Sequence, residues 1–245
     1  MSKTIVITGA GVGLGRALAR RFAADGDTVI LLGRTLSKVE AAAAEIGERA
    51  FAVGCDVTSP DSVRAAFAEI AGRYPHIDVL INNAALFQPF TVAEASDEQI
   101  VQALMTNLAG PIFCSRSAIP MMRPGGHIIN VSSESVVVPF AHLSLYQCSK
   151  AGLERFTVSL EQELQSSGIR ATTVRAGQMM EEGKAWDVAP EAAMRFAQAT
   201  MAAGVNIRER PISQFTSVTD AFRAIIDLPA DLHTGLVTLS ARKPT

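Results

Sequence analysis

Runs of consecutive apolar, β-branched residues alternate along the chain with longer alanine-rich stretches. The apolar runs predict strands buried on both faces, and the alanine-rich stretches predict helices. Strands are predicted at residues 3–8, 28–32, 50–54, 77–82, 126–131, 169–175 and 236–239. Helices are predicted at residues 13–26, 36–47, 59–73, 96–122, 145–168 and 216–228, and Pro111 is expected to bend or end part of the fourth.

This alternation predicts β-α-β units, which give parallel strands joined by right-handed crossovers. The predicted fold class is α/β, a Rossmann-type doubly wound parallel sheet of about seven strands with helices on both faces. The chain of 245 residues shows no repeat, low-complexity tract or linker. We therefore interpret residues 1–245 as a single domain.

Residues 178–213 break the rhythm, because they follow one predicted strand and precede the last helix with no clear pattern of their own. A long irregular segment in such a place is commonly a lid or a binding element. We interpret it as a substrate-loop insertion within the domain, and a surface excursion is the alternative.

Composition narrows the class of protein. The net charge is −2, so no strong attraction to nucleic acid or to an anionic membrane is expected. No apolar run approaches bilayer length, and the N-terminus is too strand-like for a secretory signal. The cysteines are odd in number and the histidines lack metal-ligand spacing, so we expect reduced thiols, no metal site and a cytoplasmic location. These residues are Cys55, Cys114, Cys148, His76, His127, His142 and His233.

A glycine-rich turn directly follows the first predicted strand and opens the first helix. Glycines at such a point let backbone N–H groups approach a pyrophosphate at the helix N-terminus. The turn therefore predicts a dinucleotide site, although a glycine cluster by itself is often only a turn. The residues concerned are Gly9, Gly11, Gly13, Leu14 and Gly15.

The end of the second strand bears on the choice of dinucleotide. An acid there commonly binds the ribose 2′-hydroxyl of NAD, but this chain has Arg34. An arginine could pair bidentately with a 2′-phosphate, so NADP(H) is favoured and NAD(H) is the alternative. After the third strand, Asp56 and Val57 are interpreted as adenine-binding residues, while Asp56 could equally be a helix-capping acid.

Tyr146 and Lys150 lie four residues apart on a predicted helix, so their side chains share one face. A free phenol has a pKa near 10 and transfers protons poorly at neutral pH. A nearby cation is expected to lower that pKa toward the working range. Such a pair could pass a proton to or from an alcohol or ketone oxygen.

Taken in order, these motifs resemble those of the short-chain dehydrogenase/reductase family over almost the whole chain. The matching positions are the turn at residues 8–15, Asn82-Asn83-Ala84-Ala85, Asn107, Asn130-Val131-Ser132-Ser133, and Tyr146 with Lys150. Ser133 lies thirteen positions before Tyr146, which is the usual family spacing, and is preferred to Ser132.

The resemblance implies a set of roles. Tyr146 would exchange a proton with the substrate oxygen, and Ser133 would donate a hydrogen bond to that oxygen. Lys150 would lower the pKa of Tyr146 and hold the nicotinamide ribose. Asn107 would position a water that connects Lys150 to solvent. Asn83, Ala84 and Gly177 would join the cofactor site.

The chain departs from the family pattern after the sixth strand. The usual Pro-Gly is Ala176-Gly177 here, and Glu181 stands where the family commonly has a threonine that binds the nicotinamide amide. Placement of the nicotinamide by this loop is therefore expected to differ.

The substrate pocket is expected beyond the carboxyl ends of the strands. Its candidate lining comes from residues 87–90, 134–143 and 178–186, with Glu134 and Met179 as substrate-binding residues beside Ser133 and Tyr146. The substrate is expected to be a small-molecule secondary alcohol or ketone. The alternatives are a 3-oxoacyl-thioester reductase and a non-catalytic dinucleotide sensor. Family resemblance also implies a homotetramer or homodimer.

Overall fold

The computed structural model describes residues 2–180, 188–229 and 231–242. Within them, seven parallel strands form one sheet in the order β3-β2-β1-β4-β5-β6-β9. The strands are β1 Thr4–Thr8, β2 Thr28–Gly33, β3 Ala50–Gly54, β4 Val79–Asn82, β5 His127–Ser133, β6 Arg170–Ala176 and β9 Leu236–Leu239. Two short strands, β7 Met179–Met180 and β8 Ser213–Gln214, pair separately.

Eight α-helices are found in the described part of the chain. They are α1 Gly13–Ala24, α2 Leu36–Ile46, α3 Pro60–Arg73, α4 Asp97–Leu104, α5 Gly110–Ala118, α6 Ser144–Leu164, α7 Pro190–Ala202 and α8 Phe215–Ile226. None of these described helices combines the length and apolarity needed to cross a bilayer.

Helices cover both faces of the sheet because alternate residues of the central strands point to opposite sides. Ile5 and Ile7 of β1 pack into one buried cluster with α1 and α8, whereas Val6 packs into a second cluster with α3, α5 and α6. The predicted Rossmann-type doubly wound sheet is therefore confirmed. Strand order reverses direction between β1 and β4, and ligands of such sheets bind at the carboxyl ends of the strands at this point.

The predicted helix over residues 96–122 is broken at a turn of π-helix, Met105–Ala109. Pro111 has no N–H to donate to the carbonyl of Asn107, four residues earlier, so a regular α-helical ladder cannot continue there. Pro111 therefore interrupts the α-helix one turn before its own position in the chain, and Pro111 itself lies in the first turn of α5.

The expectation that residues 178–213 are irregular was wrong for part of the segment. Helix α7 occupies thirteen of these residues, and Pro190 stands at its first turn, where a missing N–H costs nothing. Strand β7 precedes the helix and pairs with β8 after it. Residues 181–187 lie outside the described residues, and with them the predicted positions Glu181 and Trp186.

Candidate functional site

The turn after β1 is tied to the end of β4. Thr8 Oγ1 accepts hydrogen bonds from the backbone N–H groups of Asn83 and Ala84, both at 3.0 Å. Gly9 has a φ of +66°, and a Cβ there would lie 2.9 Å from the Cα of Ala84. Only glycine allows this turn and the β4 end to approach so closely.

The start of α1 is packed closely enough to exclude a side chain. A Cβ on Gly15 would lie 2.5 Å from the carbonyl oxygen of Gly9 and 2.6 Å from Nδ2 of Asn83. Val12 precedes the helix and provides no side-chain cap, so side chains leave the first N–H groups of α1 available. These features fit a pyrophosphate-binding turn.

The predicted adenosine-side residues lie around this turn. Arg34 is exposed immediately after β2, and Lys38 packs its Cβ side against Gly11. Asp56 Oδ1 accepts from both the N–H and the hydroxyl of Thr58, as expected of a loop-capping acid. Val57 is buried against Gly110. The adenine-binding roles of Asp56 and Val57 stay predictions.

Ser133 and Tyr146 meet at the carboxyl end of β5. Ser133 is the last residue of that strand; its hydroxyl accepts from the N–H of Ser135 at 3.2 Å and lies close enough to the phenol of Tyr146, in the first turn of α6, to affect its pKa. Burial raises the pKa of Tyr146, and the hydrogen bond from Ser133 only partly opposes this rise. The expected lowering of this pKa by Lys150 was therefore wrong for the protein without ligand, because loss of solvation outweighs the effect of Ser133 and the charge of Lys150 adds no resolved lowering.

Lys150 lies one helical turn beyond Tyr146, as the spacing predicted. Its side chain is buried, with only 2 % of the residue exposed, and Nζ donates to the carbonyl of Val131 at 2.7 Å. Nζ also lies 5.9 Å from the centre of the Tyr146 ring. Burial lowers the pKa of Lys150 from 10.5 to about 8, because desolvation disfavours the charged form.

Asn107 lies in the π-helical turn and is fully buried. Its Oδ1 accepts from the N–H of Leu86 at 2.7 Å, and its Nδ2 donates to the carbonyl of Leu86 and to Oγ of Ser149. Ser149 in turn donates to the carbonyl of Tyr146. Asn107 therefore links the loop after β4 to the helix that carries Tyr146 and Lys150, and its predicted role in holding a water stays a prediction.

A cavity of about 680 Å³ opens beside these groups. Eight of the individually predicted site residues line it, namely Leu14, Asn83, Ser133, Glu134, Tyr146, Lys150, Gly177 and Met179, and the predicted lining ranges add Phe87, Gln88, Ser135, Phe140, Leu143 and Gln178. Gly177 also fits closely, since a Cβ there would lie 2.6 Å from the carbonyl oxygen of Leu239. Asn107, Arg34, Asp56 and Val57 do not line the cavity.

Aromatic rings form one wall of this cavity. Phe87 meets the ring of Tyr146 edge to face with centroids 5.2 Å apart, and it meets Phe196 in the same way at 5.9 Å. Phe196 also packs at 6.2 Å from Phe140. Phe196 of α7 and Ile207 beyond that helix were not identified from the sequence, because no local pattern indicates where these residues pack.

Glu134, the residue after Ser133, forms an ion pair that sequence reasoning missed. Its Oε2 accepts from Nη2 of Arg210 at 2.5 Å, and both side chains are largely buried. The guanidinium of Arg210 also lies 5.4 Å from the centre of the Phe140 ring. The pair connects the residue directly after β5 to the segment that follows α7.

Within the described ranges, no group of three or more metal-binding side chains is placed to bind an ion. The groups that line the cavity beside the glycine-rich turn include a phenol, a serine hydroxyl and a buried amine. Such a set can exchange a proton with a substrate oxygen and stabilise charge on it.

Comparison with known proteins agrees with this chemistry. A family model described as short chain dehydrogenase matches residues 3–185. A 3beta-hydroxysteroid dehydrogenase of Mediterraneibacter gnavus is 36% identical over 70% of this chain, and the match spans 64% of that relative, just under two thirds of its length. An NADP-dependent 3-hydroxy acid dehydrogenase of Salmonella typhi is 33% identical over 71% of both chains. The crystal structure of a short-chain dehydrogenase from Streptomyces avermitilis superposes with a TM-score of 0.84 at 26% identity, covering 98% of this chain and 89% of that one.

Proposed function

Because the chain belongs to the short-chain dehydrogenase family, we propose that it is an NADP(H)-dependent oxidoreductase that interconverts a secondary alcohol and a ketone. Membership makes it an oxidoreductase that acts on CH–OH groups of small molecules. The NADP(H) preference and the tyrosine mechanism are the further content of the proposal.

One observation carries the mechanism. The hydroxyls of Ser133 and Tyr146 line the same cavity, close enough for Ser133 to lower the pKa of the phenol, with the buried amine of Lys150 one helical turn away. A carbonyl oxygen placed between these two hydroxyls would receive two O–H donors at once. Those donors stabilise the negative charge that develops on the oxygen during reduction.

The residues of the chain then divide the work. Tyr146 donates its proton to the substrate oxygen in reduction and accepts it in oxidation, and Ser133 orients that oxygen. The phenol is protonated at neutral pH, as a proton donor must be, but burial makes it a weaker acid, so the proposal requires the charge of Lys150 to lower its pKa when ligands are bound. Lys150, with its pKa near 8, changes its protonation state near physiological pH, and its Nζ lies 5.9 Å from the centre of the Tyr146 ring.

The turn at Gly9 and Gly15 fits a dinucleotide, because it leaves no room for side chains where the phosphates would approach the N-terminus of α1. A nicotinamide dinucleotide, when bound, supplies or accepts the hydride. Gly11, Gly13, Asn83 and the exposed Arg34 are the residues we assign to holding it. Arg34 and the NADP-dependent relative support NADP(H) over NAD(H).

No specific observation favours the other candidate functions. A dinucleotide sensor would not need Ser133, Tyr146 and Lys150 together at one cavity. A 3-oxoacyl-thioester reductase that meets an acidic carrier would need a basic rim, and the charged residues lining the described cavity are only Glu134 and Lys150. Organisation as one domain with a substrate loop, a homotetrameric or homodimeric state and a cytoplasmic location stay predictions.

The proposal is tested by following the absorbance of NADPH and of NADH with a panel of ketones and secondary alcohols. We expect turnover with NADPH by the wild type. Turnover by the Tyr146→Phe variant should be at least ~10²-fold slower, because phenylalanine lacks the transferable proton. Tyr74→Phe is the matched control, since Tyr74 packs against Phe51 away from the cavity. Equal activity of the Tyr146→Phe variant and the wild type would refute the mechanism.

A further inference from the structure

The Glu134–Arg210 pair lies where it can decide which substrates enter the cavity. Glu134 lines the cavity directly after Ser133, and Arg210 reaches it from the segment beyond α7. We propose, resting on the proposed function, that Arg210 is a positioning residue that neutralises Glu134 and thereby selects neutral ketones and alcohols with bulky apolar bodies over carboxylate-bearing ones.

The lining of the cavity supports an apolar substrate body. Most of the described lining residues beyond Ser133 and Tyr146 are apolar, and three of them are aromatic. A volume of about 680 Å³ leaves room for a ring-sized substrate as well as the reactive end of a cofactor. Beside the three phenylalanines, the apolar lining includes Leu86, Leu143, Met179, Val188 and Ile207.

The charges around the cavity argue against an anionic substrate. Among the described lining residues, Lys150 is the one cation, and its Nζ is already bonded to the carbonyl of Val131 on the catalytic side. Arg210 is engaged with Glu134 at 2.5 Å and with the Phe140 ring. Among the described lining residues, a substrate carboxylate would find no free cation to offset its lost hydration and would have to displace Glu134 to reach Arg210.

Arg210 acts through its neighbours rather than on the reacting atoms. With only 13% of its side chain exposed, Glu134 would be costly to leave unpaired beside an apolar ligand. The contact of Arg210 with Phe140 also holds one end of the aromatic wall against the cavity. Loss of Arg210 should therefore weaken ligand binding more than it slows the chemical step.

The test measures binding by calorimetry on the full chain in the Tyr146→Phe background, with and without NADPH, so it does not depend on turnover. The probes are 4-tert-butylcyclohexanone and 4-oxocyclohexanecarboxylate, which share a ring and ketone but differ in charge. We expect the neutral ketone to bind at least ~10-fold more tightly. Tighter binding of the carboxylate would overturn the inference and leave the oxidoreductase proposal standing, whereas a wild type inactive on every ketone would reject that proposal alone.

Variants of the pair give the second arm. Arg210→Gln should weaken binding of the neutral ketone about tenfold, and adding Glu134→Gln should restore most of it by removing the stranded charge. When Arg210→Gln is made in the chain that retains Tyr146, KM for the neutral ketone should rise far more than kcat falls. Arg210→Lys should retain part of the affinity. Arg195→Gln is the matched control, because Arg195 of α7 forms an exposed pair with Glu94. The inference is wrong if Arg210→Gln binds the neutral ketone as tightly as Arg195→Gln does. It is also wrong if the double variant, at an equal unfolding midpoint, binds that ketone no more tightly than Arg210→Gln.

Discussion

Asn107 holds both backbone groups of Leu86 through one side-chain amide. Its Oδ1 accepts from the N–H of Leu86 at 2.7 Å, and its Nδ2 donates to the carbonyl of the same residue at 3.0 Å. Leu86 lines the cavity next to Phe87, whose ring packs against Tyr146. The buried amide therefore fixes the wall that faces the reacting groups.

Replacing Asn107 by alanine should lower both stability and activity. The change leaves the buried polar groups of Leu86 without these partners, so the free energy of unfolding should fall by about 1–3 kcal/mol. The activity should fall because Phe87 is no longer held against Tyr146. Chemical denaturation and steady-state kinetics measure the two effects. Ser149→Ala, which removes only one bond to the amide, should cost less in both, and an equal cost would contradict this account.

Ser133 and Ser132 are adjacent but face different partners, which gives a second prediction. Ser132 Oγ donates to Glu154 at 2.7 Å, whereas Ser133 lies against Tyr146 at the cavity. Ser133→Ala should reduce kcat by ~10²–10³-fold, because one donor to the developing oxyanion is lost. Ser132→Ala should have a much smaller effect, since Arg175 still holds Glu154. A larger loss from Ser132→Ala would mean that the wrong serine has been assigned.

Much of this arrangement follows from local pattern. Continuous apolar runs gave all seven strands of the main sheet, because strands buried on both faces can tolerate few polar residues. The pairing of Ser133 with Tyr146 was also predicted, from the resemblance of the ordered motifs to those of the family. The strands depend on periodicity and the pairing on motif spacing, and both can be read along the chain.

Other features depend on packing between distant segments and were not predicted. The pattern of α7 identifies no partner for Phe196, and the segment after it gives no sign that Arg210 reaches Glu134. The pKa of Tyr146 was predicted in the wrong direction, because the helical spacing to Lys150 shows a nearby charge but does not show how far the phenol is desolvated. Burial is a property of the whole fold, so it cannot be read from four residues of sequence.

The buried amine of Lys150 should give stability a distinct pH dependence. Its pKa falls from 10.5 to about 8 on folding, so between these values the unfolded chain binds more protons than the folded one. The free energy of unfolding should then rise as the pH increases from about 8 to 10.5, by up to ~3 kcal/mol, with the full penalty of burying the charge present below pH 8.

This pH dependence is isolated by comparison with Lys150→Met. Urea denaturation of the ligand-free protein across the pH range should show the wild type gaining stability relative to Lys150→Met only above pH 8. Lys38→Met removes an exposed lysine instead and should show no such gain. A difference between wild type and Lys150→Met that stays constant with pH would show that the amine is not desolvated as the structure indicates.

Arg34 should set the preference between the two dinucleotides. It is exposed just after β2, where a 2′-phosphate would approach, and a charge-assisted bond to phosphate contributes about 1.5–3 kcal/mol. Arg34→Asp should therefore lower the ratio of kcat/KM with NADPH to kcat/KM with NADH by roughly 10- to 100-fold, because repulsion replaces attraction.

A control with the same change in net charge separates this local effect from the general field of the protein. Arg64 is exposed on α3 and pairs with Asp61, so Arg64→Asp alters the total charge equally without facing the glycine-rich turn. If both variants shift the cofactor ratio to the same extent, long-range charge explains the preference. If only Arg34→Asp shifts it, and Arg34→Lys keeps part of the preference, a direct contact at the 2′-position does, because lysine retains the charge but loses the bidentate geometry.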